Sequence, residues 1–218
     1  MSRESRSFVV VGLGSFGGVV ASELARFGNR VLGIDRDERR AAMLAETLSN
    51  VVIMDARDED AMREAGVSQY DVGMVSIGND LEGSILATMN LRLVGVGTVW
   101  AKADDRTHHR ILSKLGVDRV ILPDLEIGRH TAQMLNNPAV QDYVSLGNSF
   151  SVVNLLVPKR LHDRTMRDMA IPEPVRVLGL MRGTSFMDAQ DPEFRLSTGD
   201  RLLLLGKRPD LTAFGDRL

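Results

Sequence analysis

The sequence predicts an α/β fold: a parallel sheet of six strands, then a helix-turn-helix linker and a small α+β C-terminal domain. Three observations carry this. From Phe8 to about Pro123, short apolar runs alternate with helical patterns, as repeated βαβ units do. The first run, Val9-Val10-Val11, enters glycines at G-x-G-x-x-G spacing and leaves into an apolar helical stripe. After Pro123 the alternation stops and short β patterns separated by turns take over.

Six runs read as strands, at 8–11, 31–34, 51–54, 72–77, 98–101 and 119–122. Helices read over 15–27, 37–48, 59–65, 81–94 and 106–115, one crossover between successive strands. Right-handed crossovers bring all the strand carboxyl ends to one edge, a Rossmann-like sheet, and ligands bind along that edge.

The edge loops carry the candidate site. Gly12 permits the tight turn, Gly14 lets a pyrophosphate approach the backbone, and Gly17 lets the helix pack on the strand; Ser15 and Phe16 complete the turn. The second strand ends at Asp35, eighteen positions after Gly17, where an acid bonds a ribose hydroxyl. Asp55 and Ala56 offer a base edge, the Ile77-Gly78-Asn79 loop lies beside them, and Lys102 offers a phosphate counter-charge. The expected ligand is an adenine nucleotide. Asp55 and Asp80 equally suit helix or turn caps, and Lys102 equally suits a solvated strand end.

Beyond Pro123, residues 124–135 read as a helix broken by Asn136-Asn137-Pro138, with a further helical turn after it, because proline cannot continue a helix. Strands then read at 151–157, 175–181, 185–187 and 201–205, with a closing helix at 209–214. The expected domains are 1–123 for nucleotide binding, 124–142 as a dimerisation linker and 143–218 as a regulatory domain.

Composition narrows the function. With 27 basic and 29 acidic residues the formal charge is -2, which gives no basic field for nucleic acid. No cysteine is present for disulfide or thiolate chemistry, and no apolar run approaches the roughly 20 residues that span a bilayer. Met1 to Ser7 lack an apolar signal region, so a cytosolic protein is expected, any membrane link coming through a partner.

Catalytic patterns are scarce. The G-x-S-x-G spacing of a nucleophile elbow and the His-Glu spacing of a zinc site are not found, and the tail offers no obvious proton donor for hydride transfer. His108 and His109, in a polar helical stretch, read as solvated or interface histidines. A small NAD-dependent oxidoreductase stays as the alternative, because a fold does not fix a function.

Several segments together resemble the regulatory subunits of Ktr/Trk potassium-uptake systems: Gly12 to Gly17, Ile34-Asp35, Val75 to Gly78, Val99 to Ala103, His108-His109, Leu115 to Pro123 and Gly199 to Gly206. The resemblance covers nearly the whole chain, with one N-terminal and one C-terminal RCK domain (TrkA-N and TrkA-C) in the single-copy, KtrA-like arrangement. It implies a non-enzymatic, cytoplasmic regulator, peripheral at the inner face of the membrane. It implies homodimers assembling into an octameric ring beneath a KtrB-like potassium-translocating subunit, with ATP, ADP or NAD(H) in the glycine-loop pocket shifting the ring between states. A regulator of potassium efflux would differ only in its partner.

Three residue-level implications follow from that resemblance. Many such subunits carry arginine after the second glycine, reaching the terminal phosphate of ATP across the dimer; Ser15 stands here and brings no charge. Arg36 is the candidate to compensate, and both ADP and ATP are expected to bind with weak discrimination. Asp124 matches an acid that holds a magnesium or calcium ion with its dimer mate, and it also suits a helix N-cap. Cyclic di-AMP binding is not carried over: Pro172 or Pro174 stands about where the expected arginine would be, although Arg164 or Arg176 could substitute.

Overall fold

The computed structural model describes residues 6–136 and 140–217. They divide into two compact units, one up to Leu125 and one from Glu126 onward.

The first unit contains strands β1 (Ser7–Val11), β2 (Arg30–Asp35), β3 (Asn50–Ile53), β4 (Val72–Val75), β5 (Thr98–Lys102) and β6 (Arg119–Ile121). Between them run helices α1 (Ser15–Arg26), α2 (Glu38–Leu44), α3 (Glu59–Glu64), α4 (Leu81–Leu93) and α5 (Arg106–Lys114). The strands form one parallel sheet in the order β3-β2-β1-β4-β5-β6, so the chain reverses its direction of travel between β1 and β4. That reversal parts the loops leaving β1 and β4 and opens a crevice at their carboxyl ends.

Strand side chains alternate in direction, and both faces of this sheet are covered. Val9 and Val11 pack with Leu91 of α4 and Leu112 of α5 in one core, whereas Val10 packs with Ala21 of α1 and Leu48 in the other. This is why β1 reads as an unbroken apolar run.

The second unit is built on an antiparallel sheet. Helix α6 (Pro123–Asn136) leads to β7 (Val140–Gly147), β8 (Phe150–Leu156), β9 (Arg176–Arg182), β10 (Ser185–Met187), β11 (Arg201–Lys207) and the closing helix α7 (Arg208–Gly215). The order is β10-β9-β11-β8-β7. Val153 and Leu155 of β8, Leu202 and Leu204 of β11, and Leu211 and Phe214 of α7 form its core.

Three expectations need correction. The helical turn expected after Pro138 is the first part of β7, which pairs with β8 through a turn whose Gly147, Asn148 and Ser149 all have positive φ; Asn137 and Pro138 lie outside the described residues. Pairing with a neighbouring strand, invisible locally, overrides the weak local pattern. Second, β4 stops at Val75, so Ser76 and Ile77 belong to the loop. Third, Asp124 is not an N-cap: α6 begins at Pro123, where a missing donor costs little, and Asp124 sits exposed in the first turn.

Candidate functional site

The loops at the β1–β4 reversal enclose a cavity lined by Gly12, Gly14, Ser15, Phe16, Asp35, Arg36, Asp55, Ala56, Ile77, Gly78, Asn79 and Lys102, all expected from the sequence. Gly17 is not among the lining residues.

The three glycines have distinct physical reasons. Gly12 has φ +90°, and an added Cβ would lie 2.7 Å from the carbonyl oxygen of Ser76. At Gly17 a Cβ would stand 1.9 Å from the carbonyl oxygen of Gly12, so only glycine lets α1 approach the turn. Gly14 differs. Its φ is -67°, which any residue adopts, and the nearest group to an added Cβ is the Arg40 guanidinium at 3.7 Å. Neither backbone conformation nor packing requires glycine there.

Helix α1 starts at that point with no side-chain cap and no acidic residue in its first turn. Its first amides and the positive end of its dipole therefore favour an anion.

Asp35, 7 % exposed, ties the turn to β2: its carboxylate accepts from Leu13 N at 2.7 Å and from Asp37 N at 2.9 Å. Arg40 Nη1 stands 3.8 Å away. An ionised carboxylate offers about four acceptor positions, so two amides leave capacity toward the cavity.

Around the rim the charges are paired. Asp55 is gripped by Arg57 through side-chain bonds of 2.5–3.0 Å and also accepts the Arg57 amide. The Arg57 hydrogen bond holds its carboxyl below the usual carboxylate range against a smaller effect of burial. Asp55 thus takes the turn-capping role. Ala56 is buried, its carbonyl accepting from Asn90 Nδ2 at 2.9 Å.

Asp80 caps α4 through Gly83 N at 2.8 Å, with Arg36 3.6 Å away. Lys102 is ion-paired with Asp104 at 2.9 Å rather than solvated.

Asp104 was not singled out by the sequence, although it shares the loop of Lys102. It accepts from the amide of Asn79 at 2.9 Å, and Asn79 has φ +59°. Burial alone would raise the Asp104 carboxyl; the hydrogen bonds from Lys102 and the Asn79 amide outweigh it and hold the group below the usual range.

His108 corrects another expectation. It is 3 % exposed rather than solvated; its Nδ1 accepts from Asp104 N at 3.3 Å and its Nε2 lies 3.1 Å from Ser84 Oγ. A main-chain N–H can only donate, so Nε2 carries the proton and donates to Ser84. The pair has the spacing of a nucleophile and its base, but Ser84 is fully buried and Nε2 is the donor, so the serine is not activated.

Asp124 is exposed and does not line the cavity, and among the described residues no group of three or more His, Asp or Glu side chains could hold a metal ion. Arg164 and Arg176 are both exposed in the second unit. Among the described residues, no helix is long and apolar enough to cross a membrane.

The TrkA-N domain model matches residues 8–123 and the TrkA-C domain model residues 151–218. The chain is 34% identical over 213 residues to Ktr system potassium uptake protein A of Vibrio alginolyticus, covering 97% of each chain. Its fold is similar to that of the GsuK channel bound to NAD, with a TM-score of 0.65 at 14% identity over 98% of this chain and 39% of that one. A structure of GsuK bound to ADP matches with a TM-score of 0.52 at 24% identity, over 62% of this chain and 34% of the other.

Proposed function

Because this chain belongs to the TrkA-N/TrkA-C family that includes the Ktr potassium uptake protein A, we propose that it is the nucleotide-sensing regulatory subunit of a potassium-uptake transporter. The observation that carries this reading is Gly14: a glycine that the fold does not need, at the mouth of an uncapped helix, is explained by a phosphate lying against its α-carbon.

In this reading the α1 amides at Ser15 and Phe16 take the diphosphate, and Asp35 accepts a ribose hydroxyl. Asp55, Ala56 and the Ile77-Gly78-Asn79 loop border the base and its sugar. Arg36 and Lys102 are the cations of the expected set, each already facing an acid of its own. With Ser15 supplying no charge, a third phosphate gains little, so ADP and ATP bind with weak discrimination, and NAD(H) is a further candidate for the same pocket. GsuK, similar in fold, has been seen with NAD and with ADP.

The protein acts without catalysis, from the cytoplasm, as homodimers assembling into an octameric ring on a membrane potassium-translocating partner. Residues 124–142 join and dimerise the nucleotide domain (1–123) and the regulatory domain (143–218). Asp124 residues from two copies share a divalent cation. The nucleotide shifts the ring only so far as it binds its two shapes unequally.

Calorimetry on nucleotide-stripped protein tests the reading. Wild type binds ADP and NAD, and Gly14→Ala weakens both about 100-fold while melting within a few degrees of wild type. Wild-type protein that binds neither, or a Gly14→Ala variant that binds as wild type does, overturns it. Turnover of NADH with a carbonyl compound would favour an oxidoreductase instead.

A further inference from the structure

We propose that His108 is a positioning residue of the nucleotide pocket: held neutral between α4 and the β5 loop, it fixes Asp104, and through it Lys102 and Asn79, so that nucleotide affinity falls when His108 is protonated. This rests on the nucleotide reading above and assigns to a buried histidine a function in it.

The chain of contacts is short and directional. Ser84, fully buried in the first turn of α4, takes the Nε2 proton of His108. Thr88 Oγ1 donates to the Ser84 carbonyl at 2.7 Å, which fixes that turn. On its other side, His108 Nδ1 accepts from the Asp104 amide. The Asp104 carboxylate then holds Lys102 Nζ at 2.9 Å and the Asn79 amide at 2.9 Å.

Lys102 and Asn79 both line the cavity. Asn79 sits in the left-handed region, which asparagine tolerates better than most residues, and the Asp104 carboxylate fixes its amide there. His108 therefore sets two groups of the pocket without reaching the cavity itself.

Protonation breaks this arrangement at one atom. The proton would go on Nδ1, the acceptor for the Asp104 amide, turning attraction into a clash of two donors. The charged groups acting on His108 are Asp104 and Asp105 on its own loop and cap, and Lys102 on β5; its hydrogen-bond partner on α4 is the neutral Ser84. Burial pushes the imidazole below its ordinary value and Lys102 adds to this, against the two acids. The neutral form dominates at neutral pH, and the interaction is lost as the pH falls through the folded value, which lies below the ordinary imidazole value.

The test measures NAD affinity of the full chain by calorimetry at pH 7.5 and pH 5.0, NAD being chosen because its phosphodiesters stay ionised across that range. Wild type is expected to weaken by about twofold or more on acidification. His108→Phe, which fills the space without a polar atom, is expected to bind about 3- to 10-fold more weakly at pH 7.5, the effect of losing one or two neutral hydrogen bonds. His108→Asn keeps an acceptor near Nδ1 and cannot titrate, so it recovers most of the affinity and flattens the pH profile.

Amide hydrogen exchange without ligand supplies the independent arm: Asn79 and Asp104 lose protection in His108→Phe and keep it in His108→Asn. Wild-type affinity in His108→Phe, a wild-type pH slope in His108→Asn, or unchanged exchange at both amides overturns the proposal. If wild type binds no NAD or ADP, the nucleotide reading fails, and with it the proposed effect on affinity; the exchange arm then separately decides whether His108 positions the loop.

Discussion

Asp35 in the first unit and Asp200 in the second are both buried carboxylates, 7 % and 1 % exposed, and both accept main-chain amides. Their surroundings differ. Asp200 is held by its own domain through three bonds: Arg182 Nε and Nη2 reach it at 2.9 and 2.8 Å, and Ser197 N at 2.7 Å. Asp35 has two amides, with the nearest guanidinium at 3.8 Å and a cavity in front of it.

Burial of a charge does not by itself mark a ligand site, since a buried ion pair often only joins two elements. What distinguishes Asp35 is unused acceptor capacity facing an opening. The same contrast separates Gly14 from Gly17, both in one turn: packing accounts for the second and not for the first.

Gly17→Ala tests this contrast with the largest effect. A methyl group 1.9 Å from backbone cannot be accommodated without moving α1 from the sheet, and a loss of about 3 kcal/mol or more is expected in denaturant unfolding. Gly14→Ala is expected to lose about 1 kcal/mol or less, as a changed cap. Equal losses in the two variants would break the distinction.

Asp200→Ala comes next. Removing the acceptor of charged hydrogen bonds is expected to destabilise the second unit by about 2–3 kcal/mol, with ADP affinity unchanged at temperatures where the chain stays folded. Burial would raise the Asp200 carboxyl, but Arg182 and the Ser197 amide outweigh it, so the folded value lies below the unfolded one. That stability is fully present above about pH 4 and is lost as the pH falls through the folded value. Acid titration of melting should therefore be flatter in Asp200→Ala than in wild type.

The smallest effect belongs to Asp124→Asn. Exposed in the first turn of α6, its carboxylate contributes a few tenths of a kcal/mol to that helix, so melting in chelator should barely change. If two copies share a cation through it, the rise in melting temperature given by magnesium or calcium disappears in the variant. A rise of equal size in both proteins removes the metal from that position.

Most of the first unit was legible because its signals are local. The unbroken apolar run of β1, the glycine spacing, and Asp35 at the end of β2 lie within one short stretch, and each has a packing, steric or hydrogen-bonding reason that works over a few residues. The edge loops followed from them, which is why eleven of the cavity's lining residues could be named along with Lys102. β7 was not legible: an edge strand with a weak pattern exists because β8 is there to pair with it.

Read alone, the chain carried the order of strands and helices, the glycine turn, and the acid beside it. Which polar groups meet became visible in the folded chain. Arg57 claims Asp55, Asp104 claims Lys102 and Asn79, and His108 is drawn from an apparently solvated helix into the space beneath them. Asp55–Arg57 and Lys102–Asp104 pair within one loop, but Asp104 and Asn79 lie on different loops, 25 residues apart, and meet only because parallel strands deliver those loops to one edge. Local spacing encodes the turn; the closure of the sheet chooses its neighbours.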